Sequence, residues 1–130
     1  MATGPQTTTM PGDPLIAAIA RLAEHFGVPF AKGMLSGLAL DDQGRLPLHQ
    51  LEPALEVLGL NCFPGQSKRL PRRATSYPAV IALGDGSIAV IHELNGKDAL
   101  TWRPGSPDNH WEALASLEKE FDGWIATVHG

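Results

Sequence analysis

Residues 13–27 read DPLIAAIARLAEHFG and predict a capped amphipathic helix. Asp13 is a favourable N-cap, and Pro14 suits the first helical position, where its fixed φ helps and its missing N–H is harmless. Gly27 can adopt the left-handed conformation that ends many helices. Apolar residues at helical spacing predict one buried stripe: Leu15, Ile19, Leu22 and Phe26. The polar residues should face solvent on the other side: Arg21, Glu24 and His25.

Shorter elements are predicted after this helix. Residues 30–38 indicate a short helical piece and residues 41–46 a polar turn. A second amphipathic helix is predicted over residues 49–58, with Pro53 inside it, so that this helix either starts later or bends at the proline. Residues 60–63 then predict a short strand.

The periodicity changes from helical to strand-like after a basic, proline-rich loop at residues 64–76. Tight turns, one of them an Asn-Gly pair, separate three β-rich runs, which should form an antiparallel meander. These runs are residues 78–83, 87–93 and 98–102. Helices followed by antiparallel strands indicate the α+β class.

The C-terminal part is less regular. A turn-rich connection covers residues 104–109. The hydrophobic periodicity does not decide whether residues 110–115 form a strand or the start of a helix. Ser116 is the expected N-cap of a short helix. Residues 123–128 alternate in polarity and size as a closing strand does.

Composition limits the class of function. The chain has 130 residues, of which 43% are hydrophobic and 18% are charged, and these values are typical of one globular domain. Residues 1–12 are expected to be a flexible lead-in, and residues 13–130 a single domain that is part of a larger protein. The net charge of -4 argues against a nucleic-acid partner. No apolar run approaches the ~18–20 residues of a membrane span, and a single cysteine permits no internal disulfide.

The order of these segments resembles a known family of cysteine peptidases. The similarity lies in the helix ending in His25-Phe26-Gly27, in the passage LEVLGL at residues 55–60, and in YPAVI at residues 77–81. The chain resembles the bacteriocin-processing peptidase domains at the N-termini of ATP-driven export pumps. This resemblance implies a papain-like topology in which N-terminal helices pack on an antiparallel sheet.

The resemblance also implies where catalytic groups would lie. Active members use a cysteine nucleophile, a histidine base and an orienting aspartate. The matching positions here hold Pro14, Ser87 and Arg103, and the family's oxyanion-hole glutamine falls on the Thr run at residues 7–9. All four functional groups are therefore expected to be replaced, and the chain is expected not to be an enzyme.

Degenerate domains of this kind occur in the pumps of type I secretion. The resemblance implies a non-catalytic domain that binds or positions an unfolded substrate, such as a calcium-binding repeat (RTX) toxin or adhesin, at the cytoplasmic face of the bacterial inner membrane. The expected partners are this cargo and the rest of the transporter, with no direct membrane insertion by this segment. No cofactor or metal is expected, because the five histidines have no zinc-site spacing.

Two other classes of function remain open. One is a purely structural domain that serves assembly of the transporter. The other is a cysteine hydrolase that uses Cys62, although a cysteine on a predicted strand is more often a small hydrophobic core residue. His92 and Asp98 can face each other across the predicted hairpin, but no nucleophile is evident beside them.

Candidate substrate-binding residues come from two groups. The basic loop is either a solvated surface or a rim that attracts an acidic partner. Large aromatic side chains dominate both recognition sites and cores, so the sequence leaves these two roles open for them, except for Trp124, which we expect in the core. The candidates are Tyr77, Trp102, Trp111, Arg69, Arg72 and Arg73.

Overall fold

The computed structural model describes residues 13–130, and in this range one six-stranded antiparallel sheet carries helices on both faces. The predicted lead-in at residues 1–12 lies outside the described residues. The α+β class and the packing of N-terminal helices on an antiparallel sheet are confirmed.

The first helix, α1, spans Pro14–Phe26 and has the predicted caps. The Asp13 side chain accepts hydrogen bonds from the N–H groups of Leu15 and Ile16, and Gly27 has a φ of 68°. Three of the four predicted stripe residues are buried, and Phe26 is half-buried. Local signals were sufficient here because both caps act within one turn of the helix they end.

The second helix starts later than predicted. A 3₁₀ turn at Leu48–Gln50 precedes α2, which spans Leu51–Val57. Pro53 is therefore the third residue of α2, where a backbone N–H has no partner inside the helix and its loss costs nothing. The predicted helical piece at residues 30–38 is a 3₁₀ turn at Lys32–Leu35.

The predicted meander is present as three consecutive, adjacent strands. In the sheet the strands follow the order β1-β6-β2-β3-β4-β5, so the C-terminal strand lies between the first two. The strands are β1 at Asn61–Gln66, β2 at Ala79–Leu83, β3 at Ile88–Asn95, β4 at Asp98–Trp102, β5 at His110–Ala113 and β6 at Phe121–His129. Strand β1 is longer than predicted because it pairs with β6 over its full length.

The ambiguous segment after residue 110 contains both elements that the sequence left open. Strand β5 ends at Ala113, and α3 follows directly at Leu114–Glu120. The prediction that Ser116 caps this helix is wrong, because α3 begins two residues earlier. Burial of Leu114 and Leu117 under the sheet decides this start, and the N–H of Leu114 bonds to the carbonyl of Lys97 at 2.8 Å.

Each face of the sheet has its own hydrophobic core. On one face α1 and α2 pack on side chains that include Val80, Val90 and Trp102. On the other face α3 and the loop before β2 cover side chains that include Ile81, Ile91 and Ile125. All five residues of β2 are buried, as expected for a strand covered on both sides.

Candidate functional site

A cleft of about 450 Å³ opens at the N-terminal end of α1. One wall is the helix end, a second is the segment at residues 41–48, and a third is the turn between β2 and β3. The cleft brings together Pro14, Ser87 and Pro104, which is the direct neighbour of Arg103. The remaining lining residues are Asp13, Leu15, Asp41, Arg45, Leu46, Pro47, Leu48, Ala82, Leu83, Gly86, Ile88 and Asp122.

The positive end of α1 is occupied by a carboxylate of the chain itself. One oxygen of Asp13 accepts from Leu15 N at 3.0 Å and from Ile16 N at 3.3 Å, and the other accepts from the N–H of Leu46. These bonds satisfy donors that a helix N-terminus otherwise offers to an anion. Asp13 also ties the helix end to the wall formed by residues 41–48.

Ser87 is held by its own turn. Its hydroxyl donates to Asp85 Oδ1 at 2.5 Å, and its backbone N–H donates to the same oxygen at 2.9 Å. These hydrogen bonds lower the pKa of Asp85. The lining residues within 13–130 include no cysteine and no histidine. The cleft therefore offers neither a thiol nor an imidazole for nucleophilic catalysis.

Arg103 binds two glutamates instead of lining the cleft. Its guanidinium contacts Glu112 through two bonds of 2.9 Å, and it contacts Glu120 at 2.8 and 3.1 Å. The hydrogen bonds to Glu112 and then Glu120 raise the pKa of Arg103, and those from Arg103 are the main cause of the lowered pKa of Glu112. Arg103 thus joins the end of β4 to β5 and α3.

Cys62 lies in a hydrophobic core rather than in the cleft. It is 6% exposed on β1, and the described residues place no imidazole within hydrogen-bond distance of its sulfur. Burial, and secondarily the charge of Glu52, raises the pKa of its thiol to about 11. A thiol that stays protonated and shielded at neutral pH lacks the thiolate that cysteine catalysis requires.

A pair of histidines at the other end of α1 was not predicted. His92 is 7% exposed on β3, and its Nδ1 lies 3.1 Å from Nδ1 of His25. His92 and Asp98 do not face each other across the hairpin, because Asp98 pairs with Asn95 and the neighbours of His92 pair with Leu100 and Thr101. Burial, then the charges of His25 and Arg21, lowers the pKa of His92 to about 4.

No protein-family model matches this chain, and no curated protein sequence matches it. Solved structures do match it over nearly its whole length. The N-terminal peptidase C39-like domain of the toxin secretion ATP-binding protein from Vibrio parahaemolyticus superposes with a TM-score of 0.77 at 21% identity, over 90% of this chain and 96% of that one. The chain has a peptidase C39-like fold.

Two further structures share this C39-like fold. A double-glycine motif protease from an AMS/PCAT transporter, solved with its leader peptide, has a TM-score of 0.72 at 14% identity, covering 92% of this chain and 86% of that one. The peptidase domain of Streptococcus ComA, a bifunctional ABC transporter of quorum sensing, has a TM-score of 0.70 at 14% identity, with 89% and 90% coverage. The second and third of these structures come from transporters, and the first comes from a toxin secretion ATP-binding protein.

Within this C39-like fold the predicted aromatic binding residues lie apart. Tyr77 and Trp102 are 7% and 3% exposed and belong to opposite cores. The Tyr77 hydroxyl donates to the carbonyl of Pro71 at 2.8 Å, and Trp102 Nε1 donates to the carbonyl of Ser106 at 2.9 Å. Trp111 is 49% exposed on β5. Trp124 is half-buried and packs against the α1 core, as predicted.

Two of the three basic candidates lie at one glutamate of α3. Arg72 contacts Glu118 at 3.1 Å, Arg69 lies 3.8 Å from it, and Arg73 is exposed nearby in sequence. None of these three arginines lines the cleft, and their role in substrate binding stays a prediction. No helix within residues 13–130 is long and apolar enough to cross a membrane. No group of three or more potential ligands for a metal occurs in the same range.

Proposed function

We propose that this chain is a non-catalytic, peptidase-like domain of a type I secretion ABC transporter, which binds or positions unfolded export substrate before translocation. Its neighbours in fold are transporter domains, and one of them was solved with a leader peptide. The domain would act at the cytoplasmic face of the bacterial inner membrane beside the rest of the pump.

One observation carries the non-catalytic part of this proposal. Around the cleft, the helix end holds Pro14 and the carboxylate of Asp13, while the wall opposite holds Ser87, and no cysteine or histidine lines the space within residues 13–130. If Pro14, Ser87 and Arg103 occupy the positions of the family's catalytic groups, acyl transfer has no nucleophile and no base here.

The cargo would be an unfolded RTX-type toxin or adhesin segment. Such repeat segments are acidic, and the arginines near Glu118 can raise their rate of encounter with the domain. Arg69 and Arg72 share one carboxylate, and Arg73 adds a further exposed charge, so this surface keeps an excess of positive charge. Binding should be weak, because ordering an unfolded chain opposes it.

A structural role in transporter assembly is the second candidate. Its support is that two polar side chains at the cleft already have partners within the domain: Asp13 with three backbone N–H groups, and Ser87 with Asp85. These two side chains therefore have little hydrogen-bonding capacity left for a ligand. A cysteine hydrolase based on Cys62 is the third, and its buried thiol counts against it.

The test is a titration of the ¹⁵N-labelled 130-residue chain with a calcium-free, aspartate- and glycine-rich repeat polypeptide. Localised shift changes in an uncleaved mixture support cargo binding, and an Arg73→Glu variant should weaken it about twofold to fivefold through the lost encounter charge. The matched control is Lys32→Glu, which makes the same charge change on the 3₁₀ turn after α1 and should weaken binding less.

Three results would contradict the proposal. An unperturbed spectrum at high polypeptide concentration favours the structural role. Cleavage of the polypeptide that a Cys62→Ser variant abolishes identifies a cysteine hydrolase. Equal weakening by Lys32→Glu and Arg73→Glu removes the basic loop from the binding surface and leaves only a general charge effect.

A further inference from the structure

The two edges of the sheet differ in the backbone groups they offer. Among residues 13–130, strands β1 and β5 are the terminal strands, so each pairs with a described neighbour on one side only. In an antiparallel pair, alternate residues direct both N–H and C=O toward the partner strand, and the others direct them away. A free edge with several outward groups can accept a further strand, and many proteins block such edges with proline.

Proline interrupts the β1 edge. Ser67 N donates to the carbonyl of Gly123 at 2.8 Å in the β1–β6 pair, which fixes the residues that bond toward β6. Because the direction of the backbone groups alternates along a strand, the residues that direct them outward are Cys62, Pro64 and Gln66. Since Pro64 has no N–H, the middle of this edge cannot donate a hydrogen bond to an added strand.

The β5 edge has no such interruption. Leu114 N donates to the carbonyl of Lys97 at 2.8 Å, in register with the β4–β5 pair. By the same alternation Glu112 and His110 bond toward β4, whereas Trp111 and Ala113 direct their N–H groups outward. No proline lies within His110–Ala113. An added strand could therefore bond to the N–H and C=O of Trp111 and to the N–H of Ala113.

The side chain of Trp111 provides an apolar anchor at this edge. It is 49% exposed and lies opposite Leu100 of β4, which is half-buried. A strand placed beside β5 would bring one of its side chains next to Trp111 on the same face. Cross-strand pairs of an aromatic with a β-branched residue are among the favourable pairs in sheets.

The charges along this edge favour a basic partner. Within residues 97–113 the charged side chains are three carboxylates and two cations: Asp98, Asp108, Glu112, Lys97 and Arg103. Arg103 is shared between Glu112 and Glu120, so these three side chains together keep one negative charge. The exposed Lys97 offsets one of the two remaining aspartates, and Arg21 of α1 is bound to the carbonyl of Pro107 and to Asn109, so the edge keeps an excess of negative charge.

We propose that the β5 edge binds an extended, basic segment of another polypeptide as a seventh strand of the sheet, with an apolar side chain of that segment against Trp111. The backbone groups of Trp111 and Ala113 would supply affinity, and the carboxylates would select lysine or arginine over acidic residues. This surface is distinct from the cleft, and the proposal does not rest on the proposed function.

The probe is a capped heptapeptide of alternating valine and lysine, titrated into the ¹⁵N-labelled 130-residue chain. We expect the largest shifts at Trp111 and Ala113, with slower hydrogen exchange of their amides. An Ala113→Pro variant removes one outward donor, and it should fold because Ala113 already has a φ of −64°. This variant and Trp111→Ala should each weaken binding about tenfold.

Two matched controls separate this site from general adhesion. Phe63 is 58% exposed on the proline-interrupted edge, so Phe63→Ala should leave the affinity unchanged. A heptapeptide of alternating valine and glutamate should bind about tenfold more weakly than the lysine peptide at low salt, with the difference shrinking as salt rises.

The proposal is overturned if Ala113→Pro binds the lysine peptide as well as the parent chain while retaining its dispersed spectrum. Shifts confined to β1 or to the cleft would also overturn it. Concentration-dependent broadening at Trp111 without peptide, together with a dimer in sedimentation, would assign this edge to a second copy of the chain instead.

Discussion

The two ends of α1 satisfy their polar groups in different ways. At the N-terminal end, one carboxylate accepts hydrogen bonds from the backbone N–H groups of Leu15, Ile16 and Leu46. At the C-terminal end, two imidazoles meet at 3.1 Å, and His92 Nε2 is buried without a partner among the described residues. The first end is closed by bonds inside the domain, whereas the second retains an unsatisfied atom.

Because their polar groups differ, the two ends of α1 should lose stability under different conditions. The Asp13 contacts join α1 to the wall of the cleft and contribute at neutral pH. The contact between His25 and His92 requires at least one neutral ring, because two imidazoliums cannot both donate across 3.1 Å and repel each other. We therefore expect substitution of Asp13 to destabilise the N-terminal end at neutral pH, and acid to destabilise the C-terminal end.

The largest expected effect is the acid sensitivity of His92. Its folded pKa of about 4 lies below the ordinary value of 6.5, so between these pH values the unfolded state binds more protons than the folded state. The stabilising contribution is complete above pH 6.5 and is lost as the pH falls toward 4, by about 3 kcal/mol at most. Urea unfolding followed between about pH 7 and pH 4 measures this loss.

The variant His92→Leu isolates the histidine from the carboxylates that also lose stability in acid. Leucine keeps the site apolar and removes the unpartnered nitrogen. The free energy of unfolding of the variant should fall less steeply than that of the parent chain over the same pH range. Parallel curves for the two proteins would show that His92 is not responsible for the acid sensitivity.

A smaller effect is expected for Asp13→Ala at the opposite end. The change removes the helix cap and the link to Leu46, and we expect a loss of about 2 kcal/mol at neutral pH. The matched control is Asp42→Ala, an exposed aspartate of the neighbouring turn, which should change stability by less than about 0.5 kcal/mol. Equal losses would mean that Asp13 acts only through its net charge.

The smallest effect of the three is expected for Gly27→Ala, which tests the backbone at the C-terminal end. Gly27 has a φ of 68°, and a methyl group added to its Cα would contact no neighbouring atom, so alanine would be disfavoured only by the left-handed conformation. We expect a loss of about 1 kcal/mol in thermal unfolding. Gly37→Ala, with equally open space and no positive φ, should not destabilise the domain.

Local signals in the sequence were enough to predict α1, its caps and the three-stranded meander. Asp13, Pro14 and Gly27 each act on the backbone within one turn, and Gly96, with a φ of 63°, begins the two-residue turn between β3 and β4. The start of α3 could not be found in this way. There the burial of Leu114 outweighed the capping preference of Ser116, which is a tertiary effect that overrides a local one.

Contacts between distant residues were not accessible from the sequence. His25 and His92 are 67 residues apart, and they meet only because α1 packs on β3. The insertion of β6 between β1 and β2 likewise depends on pairing across the whole chain. Of the three positions that the resemblance assigned to replaced catalytic groups, Pro14 and Ser87 line the cleft and Arg103 does not. The wall at residues 41–48 could not be predicted, because it is joined to α1 through the second oxygen of Asp13.

The burial of Cys62 has a practical consequence for spectroscopy. Since it is the only sulfhydryl in the chain and has a pKa of about 11, maleimide dyes at neutral pH should react far faster with a cysteine introduced on the surface. Fluorophores or spin labels can then be attached at chosen positions without removing the native residue. Slow modification of Cys62 itself would report how often the first strand detaches from its core.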